Sequence, residues 1–231
     1  MIDIHAHILP GVDDGSQSIE VSIQMIKKEI ADGVTAVILT PHVQSRVSKL
    51  DPKEHLAIFE NLQEEVKRQG LAIDLYLGAE IFYRSHIDTK YRAVSLNDSK
   101  YVLLEFSPSI ETPIEEIVYD VSRQGYIPII AHVERYYYLE FEDYYKIKAT
   151  GALLQVNTTA ILNLDDFKIK KGLIHKLLKN HLVDFIATDT HGMGIRQPNM
   201  RETYDYLMKQ YDEDYLKDIF ESNARKIIES N

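Results

Sequence analysis

A chain of 231 residues, 45% hydrophobic and 27% charged, has enough apolar material for a sizeable core, and 26 basic against 36 acidic side chains (net −10) leave no electrostatic footprint for nucleic acid. It has no cysteine, which excludes disulfides, thiolate metal sites and the cysteine nucleophile on which one large class of protein phosphatases depends. Asp3, His5 and His7 interrupt the start and no apolar run reaches membrane-span length, so a soluble, cytoplasmic protein without direct membrane insertion is expected.

Strand-length apolar runs occur at residues 2–7, 35–40, 73–78, 101–106, 127–132, 152–157 and 183–188. Helix-like segments lie between them. The first, 18–31, carries Ile19, Ile23, Met25, Ile26 and Ile30 and ends before Gly33. Asp51-Pro52-Lys53-Glu54 has the order of an N-cap, a first-turn proline and a capping-box glutamate, opening a helix that runs to about Gln69 and stops at Gly70. Thr112-Pro113-Ile114-Glu115 repeats that signature, with Gly125 as its stop. Helices at 140–149, 168–180, 200–210 and 213–228 are less sharply marked. Strands alternating with helices predict parallel βαβ units in a single domain spanning 1–231, either an open doubly wound sheet or a barrel. No Gly-x-Gly-x-x-Gly turn follows the first strand, which weakens a nucleotide-binding reading.

In a barrel the chemistry gathers at the carboxyl ends of the strands. Those ends supply His5 and His7, then His42, Glu80, Glu105, His132, Asn157, and finally Asp189 with His191. On strict alternation His5 and His7 share one face of the first strand, Asp3 lies on that same inward face, and Ile2, Ile4 and Ala6 point the other way. Asp13-Asp14 follows in a turn, and spacing alone leaves open which of the two is a ligand and which caps the turn. The set His5, His7, Asp14, His42, Glu80, Glu105, His132, Asp189 and His191 is too large for one tetrahedral ion and suits two or three divalent metals bridged by carboxylates. Such ligands favour manganese, zinc or iron, and such sites hydrolyse phosphate esters. Arg135 and Arg196, on loops at the same rim, match a cationic clamp for phosphate, or else simply pair with the rim carboxylates. His55, His86, His175 and His181 fall outside these motifs and are expected at the surface or in local hydrogen bonds.

Ordered blocks along the chain carry a family resemblance: MIDIHAHILPGVDDG at 1–15, TPH at 40–42, GAEI at 78–81, LNDSKYVLLEF at 96–106, PIIAHVERY at 128–136, ATDTH at 187–191 and NARKII at 223–228. With these the chain resembles the polymerase and histidinol phosphatase (PHP) superfamily. Within it, the chain is similar to the manganese-dependent protein-tyrosine phosphatases of bacterial capsule and exopolysaccharide operons. The resemblance implies a distorted (β/α)7 TIM-like barrel of the PHP fold with a trinuclear site. In it His5, His7, Glu80 and Asp189 bind a first metal, and Glu80 bridges to a second on Glu105 and His132. Asp14, His42 and His191 surround a third. Mn2+ is the implied metal, with Zn2+, Fe2+ or Co2+ as alternatives. Arg135 and Arg196 match arginines at the substrate phosphate, and His132 or Asp189 is a candidate for proton transfer. A metal-bridging hydroxide is the implied nucleophile. The implied partner is the phosphotyrosine-bearing C-terminal tail of a bacterial tyrosine autokinase that controls polysaccharide synthesis and draws the protein to the membrane. Alternatives are a histidinol-phosphatase-like small-molecule phosphatase and a non-catalytic, metal-bearing kinase regulator.

Overall fold

The structure is a computed structural model that describes residues 1–84, 94–164 and 166–230. His86 lies outside the described residues. The strands are β1 (Ile2–Ala6), β2 (Ala36–Leu39), β3 (His42–Val43), β4 (Asp74–Leu77), β5 (Glu80–Phe82), β6 (Tyr101–Glu105), β7 (Ile127–Ile130), β8 (Leu153–Asn157) and β9 (Phe185–Ala187). The helices are α1 (Ile19–Ala31), α2 (Pro52–Arg68), α3 (Ile114–Arg123), α4 (Phe141–Ala149), α5 (Thr158–Ile161), α6 (Leu173–Lys179), α7 (Met200–Leu207), α8 (Glu213–Lys217) and α9 (Asn223–Ile228).

Every strand pair is parallel. The order is β1-β2-β4 in one sheet and β3-β5-β6-β7-β8-β9 in another. The two sheets form one curled wall, because two of the seven expected strands pause at their expected ends and then resume as β3 and β5. Thr40-Pro41 separates β2 from β3, and Gly78-Ala79 separates β4 from β5. Proline lacks the ladder donor and glycine lacks a side chain to pack, so both interrupt a strand. Main-chain bonds bridge the gap nevertheless: Gly78 N donates to Leu39 O at 2.9 Å and Glu80 N to Pro41 O at 3.1 Å. A Cβ on Gly78 would lie 2.7 Å from Leu96 Cδ2 and 3.1 Å from its Cα, so the glycine lets Leu96 pack close. The circle closes where β1 meets the segment after β9, through the Ala6–Thr190 bridge, with His7 N donating to Thr190 O at 2.9 Å and Asp189 N to His5 O at 2.8 Å. The result is the distorted seven-stranded barrel that the sequence leads one to expect.

Two apolar cores hold it. One packs the helices on the outside of the wall, with Met25, Ile26, Val37, Leu62 and Val118 among its members. The other is the interior cluster: Ile2, Ile4, Ile38, Leu103, Ile129 and Phe185 from the strands, capped by Ala224 and Ile227 of α9. Strict alternation in β1 therefore fails. The register shifts between Asp3 and Ala6, so Ile4 belongs to the interior and His5 beside it also points inward. Asp3 faces α1 instead. Its carboxylate accepts from His5 N, Thr188 N and the Thr188 hydroxyl. Burial, the Asp3 carboxyl and Asp32 push the Glu29 carboxyl of α1 well above the usual range.

The helix signals hold in part. Ser18 caps α1, and Asp51 with Glu54 forms the expected capping box of α2. At α3, Pro113 occupies the cap position, and the Thr112 hydroxyl donates to Ile110 O rather than capping the helix. α6 begins only at Leu173, after Gly172 in a left-handed conformation (φ 73), so 168–171 is not helical. The last expected helix, 213–228, is two short helices joined by a π-turn at Asp218–Ser222.

Candidate metal centre

The strand ends place the expected residues around one cleft. His5 and His7 come from the end of β1, and His42 and Glu80 open the two strand continuations, paired in register. Glu105 ends β6, and His132 and Asp189 follow β7 and β9. His132 (φ 32) and Asp189 (φ 51) both sit in the left-handed region, unusual for non-glycine residues, which turns the chain sharply just past the strand.

Four ligand atoms converge on the first point. His5 Nε2 and His7 Nε2 are 3.2 Å apart. Glu80 Oε2 lies 3.3 Å from each nitrogen, and Asp189 Oδ1 lies 3.4 Å from each. The hydrogen bonds behind the rings set their tautomers. His5 Nδ1 donates to Gln155 Oε1 (3.0 Å) and His7 Nδ1 to Asp13 Oδ2 (2.8 Å). Both Nε2 atoms therefore present lone pairs to each other and to two carboxylate oxygens, an arrangement that repels itself unless positive charge stands between. The electrostatics agree. Burial disfavours charge on His5 and His7, but Glu80 and Asp189 around His5, and Asp13 against His7, outweigh it and hold both imidazoles above the ordinary pKa. Burial would raise Glu80, yet His5 and His42 hold it well below the carboxylate range.

Two further groups adjoin. His42 Nδ1 lies 2.9 Å from Glu80 Oε2 and 3.6 Å from Glu105 Oε2, and His132 Nε2 lies 2.9 Å from Glu80 Oε1 and 3.8 Å from Glu105 Oε1. Burial, then the neighbouring Glu80 charge, pushes Glu105 up to about 8, so this corner too is short of positive charge. On the outer side Asp14 Oδ1 stands 3.7 Å from His42 Nε2 and 3.6 Å from His191 Nε2. His191 Nδ1 donates to Asp189 O, leaving Nε2 to ligate, buried and, among the described residues, without a hydrogen-bond partner. His7, Asp14, His42 and His191 thus form one possible metal cage, His5, His7, Glu80 and Asp189 a second, and His42, Glu80 and Glu105 a third. The donor sets fit divalent cations, with hard carboxylates and imidazoles and no thiolate.

The choice between the paired aspartates is geometric. Asp13 is buried and turned inward, accepting from His7 Nδ1, Gly15 N and His42 N. Asp14 is exposed and faces the outer cage. Gly15 permits this turn, since a Cβ there would lie 2.3 Å from His7 O and 2.4 Å from His7 Cβ. Asp13→Asn would keep the shape but blunt its acceptor charge. Its metal affinity, read by titration calorimetry, should fall about 10- to 100-fold while thermal unfolding stays cooperative.

Asp189 anchors both arginines. Its outer oxygen Oδ2 receives Arg135 Nη1 at 3.0 Å, Arg196 Nη2 at 2.6 Å and Asn157 Nδ2 at 2.7 Å, while Oδ1 turns to the histidines. The arginines do pair with a rim carboxylate, and they also line a cleft of about 220 Å³ above the ligands. Among the described residues Val47, Phe82 and Phe167 are its apolar lining, and its acids (Asp14, Glu80, Glu105 and Asp189) all belong to the ligand groups.

The sequence reading missed three things here. Gln155, not Asp3, orients the His5 ring, and the clue was its position two residues before Asn157 on the same face of β8. Phe167, just ahead of the stretch read as a helix start, lies against Arg135. His55 is fully buried in α2, not at the surface, and among the described residues neither ring nitrogen has a hydrogen-bond partner. His175 does make a local hydrogen bond, to the Tyr211 hydroxyl.

Residues 1–229 match the family model for capsular polysaccharide synthesis, CpsB/CapC. The chain belongs to the CpsB/CapC family. Among its relatives is the tyrosine-protein phosphatase YwqE of Bacillus subtilis, 30% identical over 91% of this chain and 85% of that protein. Another is the tyrosine-protein phosphatase CpsB of Streptococcus agalactiae serotype V, 30% identical over 100% of this chain and 99% of the relative. A crystal structure from work on YwqE of Bacillus subtilis and CpsB of Streptococcus pneumoniae, described as unique metal-dependent tyrosine phosphatases, superposes with a TM-score of 0.90. It is 29% identical and covers 100% of this chain and 95% of that one. In this chain the histidines and carboxylates at the strand ends gather on one rim of the barrel. Among the described residues no helix is long and apolar enough to cross a membrane.

Proposed function

We propose that this CpsB/CapC protein is a metal-dependent protein-tyrosine phosphatase in which residues 1–231 act as one unit. The observation that carries the reading is the convergence of His5 Nε2, His7 Nε2, Glu80 Oε2 and Asp189 Oδ1 with their lone pairs facing inward. Family membership and the tyrosine phosphatases among its relatives support it. His5, His7, Glu80 and Asp189 hold one cation, Glu80, Glu105 and His132 a second, and Asp14, His42 and His191 a third. Manganese fits the all-nitrogen-and-oxygen donor set. Bound divalent cations supply Lewis acidity, polarising phosphoryl oxygens and lowering the pKa of water.

The chain's own groups do the rest. Arg135 and Arg196 present forked donors to the phosphate oxygens, and Asp189 keeps both forks in place. Gln155 and Asp13 hold the His5 and His7 rings by Nδ1 so that Nε2 of each is aimed at the cleft. We assign no proton delivery to His132 or Asp189. Burial and Arg135 push His132 down to about 4, and Arg196 with His5 holds Asp189 well below the carboxylate range against its burial, so near neutral pH His132 is a neutral imidazole and Asp189 a carboxylate, and neither is a ready acid. A tyrosyl oxygen needs little help, since its ordinary pKa near 10 makes phenolate a fair leaving group.

Among the described residues the apolar lining favours an aryl phosphate over histidinol phosphate, because there an ammonium group would find arginines and no acid outside the ligand groups. The protein works in the cytoplasm on the phosphotyrosine tail of a tyrosine autokinase of polysaccharide synthesis. The test is hydrolysis of a phosphotyrosine peptide with added manganese, against the same enzyme in excess chelator. Activity should depend on the metal and return on its readdition. Undiminished activity in chelator, or turnover of histidinol phosphate in preference to the peptide, would defeat the reading.

A further inference from the structure

We propose that Phe167 is the specificity-determining wall of the cleft, the surface against which the phenyl ring of an aryl phosphate packs. The proposal rests on the phosphatase reading above. Arg135 is buried, with Nη1 tied to Asp189 and its guanidinium carbon 4.2 Å from the centre of the Phe167 ring. The ring covers the guanidinium on one side, and the residue stays 45% exposed at the mouth of the cleft it shares with Arg196 and Phe82. Exposure alone does not single Phe167 out, since Ile195 (70%) and Ile110 (67%) are more exposed; its position against the Arg135 guanidinium at the cleft does.

The geometry gives it a use. A phosphate held by the Arg135 and Arg196 forks lies over the ligand groups, and its ester oxygen leads back out of the cleft. The first carbons beyond that oxygen then pass alongside Phe167, which is already within contact distance of one fork. An aromatic ring there gains an offset or edge contact with Phe167, whereas a methyl or a seryl carbon is too small to reach it. Phe82 and Val47 line the same cleft and add apolar surface beside the ring. Phe167 therefore acts on the aryl group, and its effect is felt in binding rather than in the phosphoryl-transfer step.

The test compares binding of phenylphosphonate and methylphosphonate to the manganese-loaded enzyme by calorimetry. Both carry the same charged head, and only one carries the ring. Wild type should prefer phenylphosphonate. Phe167→Ala should weaken phenylphosphonate about two- to tenfold, the range an aromatic pair provides, and should leave methylphosphonate unchanged. Phe167→Tyr should retain the preference, and Phe167→Leu should lose most of it. With a phosphotyrosine peptide the alanine variant should raise KM and leave kcat near wild type. Equal weakening of both phosphonates, or no preference in wild type, would overturn the proposal. A wild type that prefers phenylphosphonate through Phe167 yet cleaves no phosphotyrosine would support the aryl wall and overturn the phosphatase reading instead.

Discussion

Glu80→Gln should lower kcat/KM on a phosphotyrosine peptide by about 10³-fold or more, which corresponds to about 4 kcal/mol of transition-state stabilisation. The reason is its position. One oxygen, Oε2, lies 3.3 Å from both His5 Nε2 and His7 Nε2 and 2.9 Å from His42 Nδ1, and the other, Oε1, lies 2.9 Å from His132 Nε2. No other side chain of the site touches four histidines. The glutamine keeps the volume and removes the charge, so the barrel should remain folded by circular dichroism. The metal content measured by mass spectrometry should drop with the activity. Activity within tenfold of wild type at full metal content would show that Glu80 is not the shared ligand.

The arginines carry the second large effect. Arg135→Ala and Arg196→Ala should each lower kcat/KM about 10- to 100-fold, as expected for one charge-assisted hydrogen bond to a phosphate oxygen. The double variant should lose less than the product of the two, because both side chains hold the same Asp189 oxygen, Oδ2. Arg135→Lys should rescue little, since an ammonium cannot replace a planar fork. Metal content should stay close to wild type in each variant, which separates this loss from that of Glu80→Gln. An arginine variant that loses its metal along with its activity would reassign these residues to supporting Asp189 alone.

Much of this centre was readable from the chain because parallel βα units deliver the residue after each strand to one rim. His132, Asp189 and His191 were placed by that rule alone, and the structure brings them together with His5, His7 and Glu80. What could not be read depends on breaks in periodicity. A register shift in β1 puts Ile4 and His5 on the same side and turns Asp3 toward α1, and strict alternation hides such a shift. Pro41 and Gly78 mark interruptions, yet only the folded ladder shows that they align His42 beside Glu80. Asp13 and Asp14 are neighbours in a tight turn, so their opposite roles follow from where that turn points. Phe167 and Gln155 act through contacts with residues far along the chain, and neither type stands out in a scan for ligands.

Manganese anomalous scattering from crystals grown with the metal tests the centre most directly. Peaks should lie among His5, His7, Glu80 and Asp189, beside Glu105 and His132, and among Asp14, His42 and His191. A fully active enzyme whose anomalous map is flat across this cleft would contradict the assignment of these side chains to metal-dependent phosphotyrosine hydrolysis.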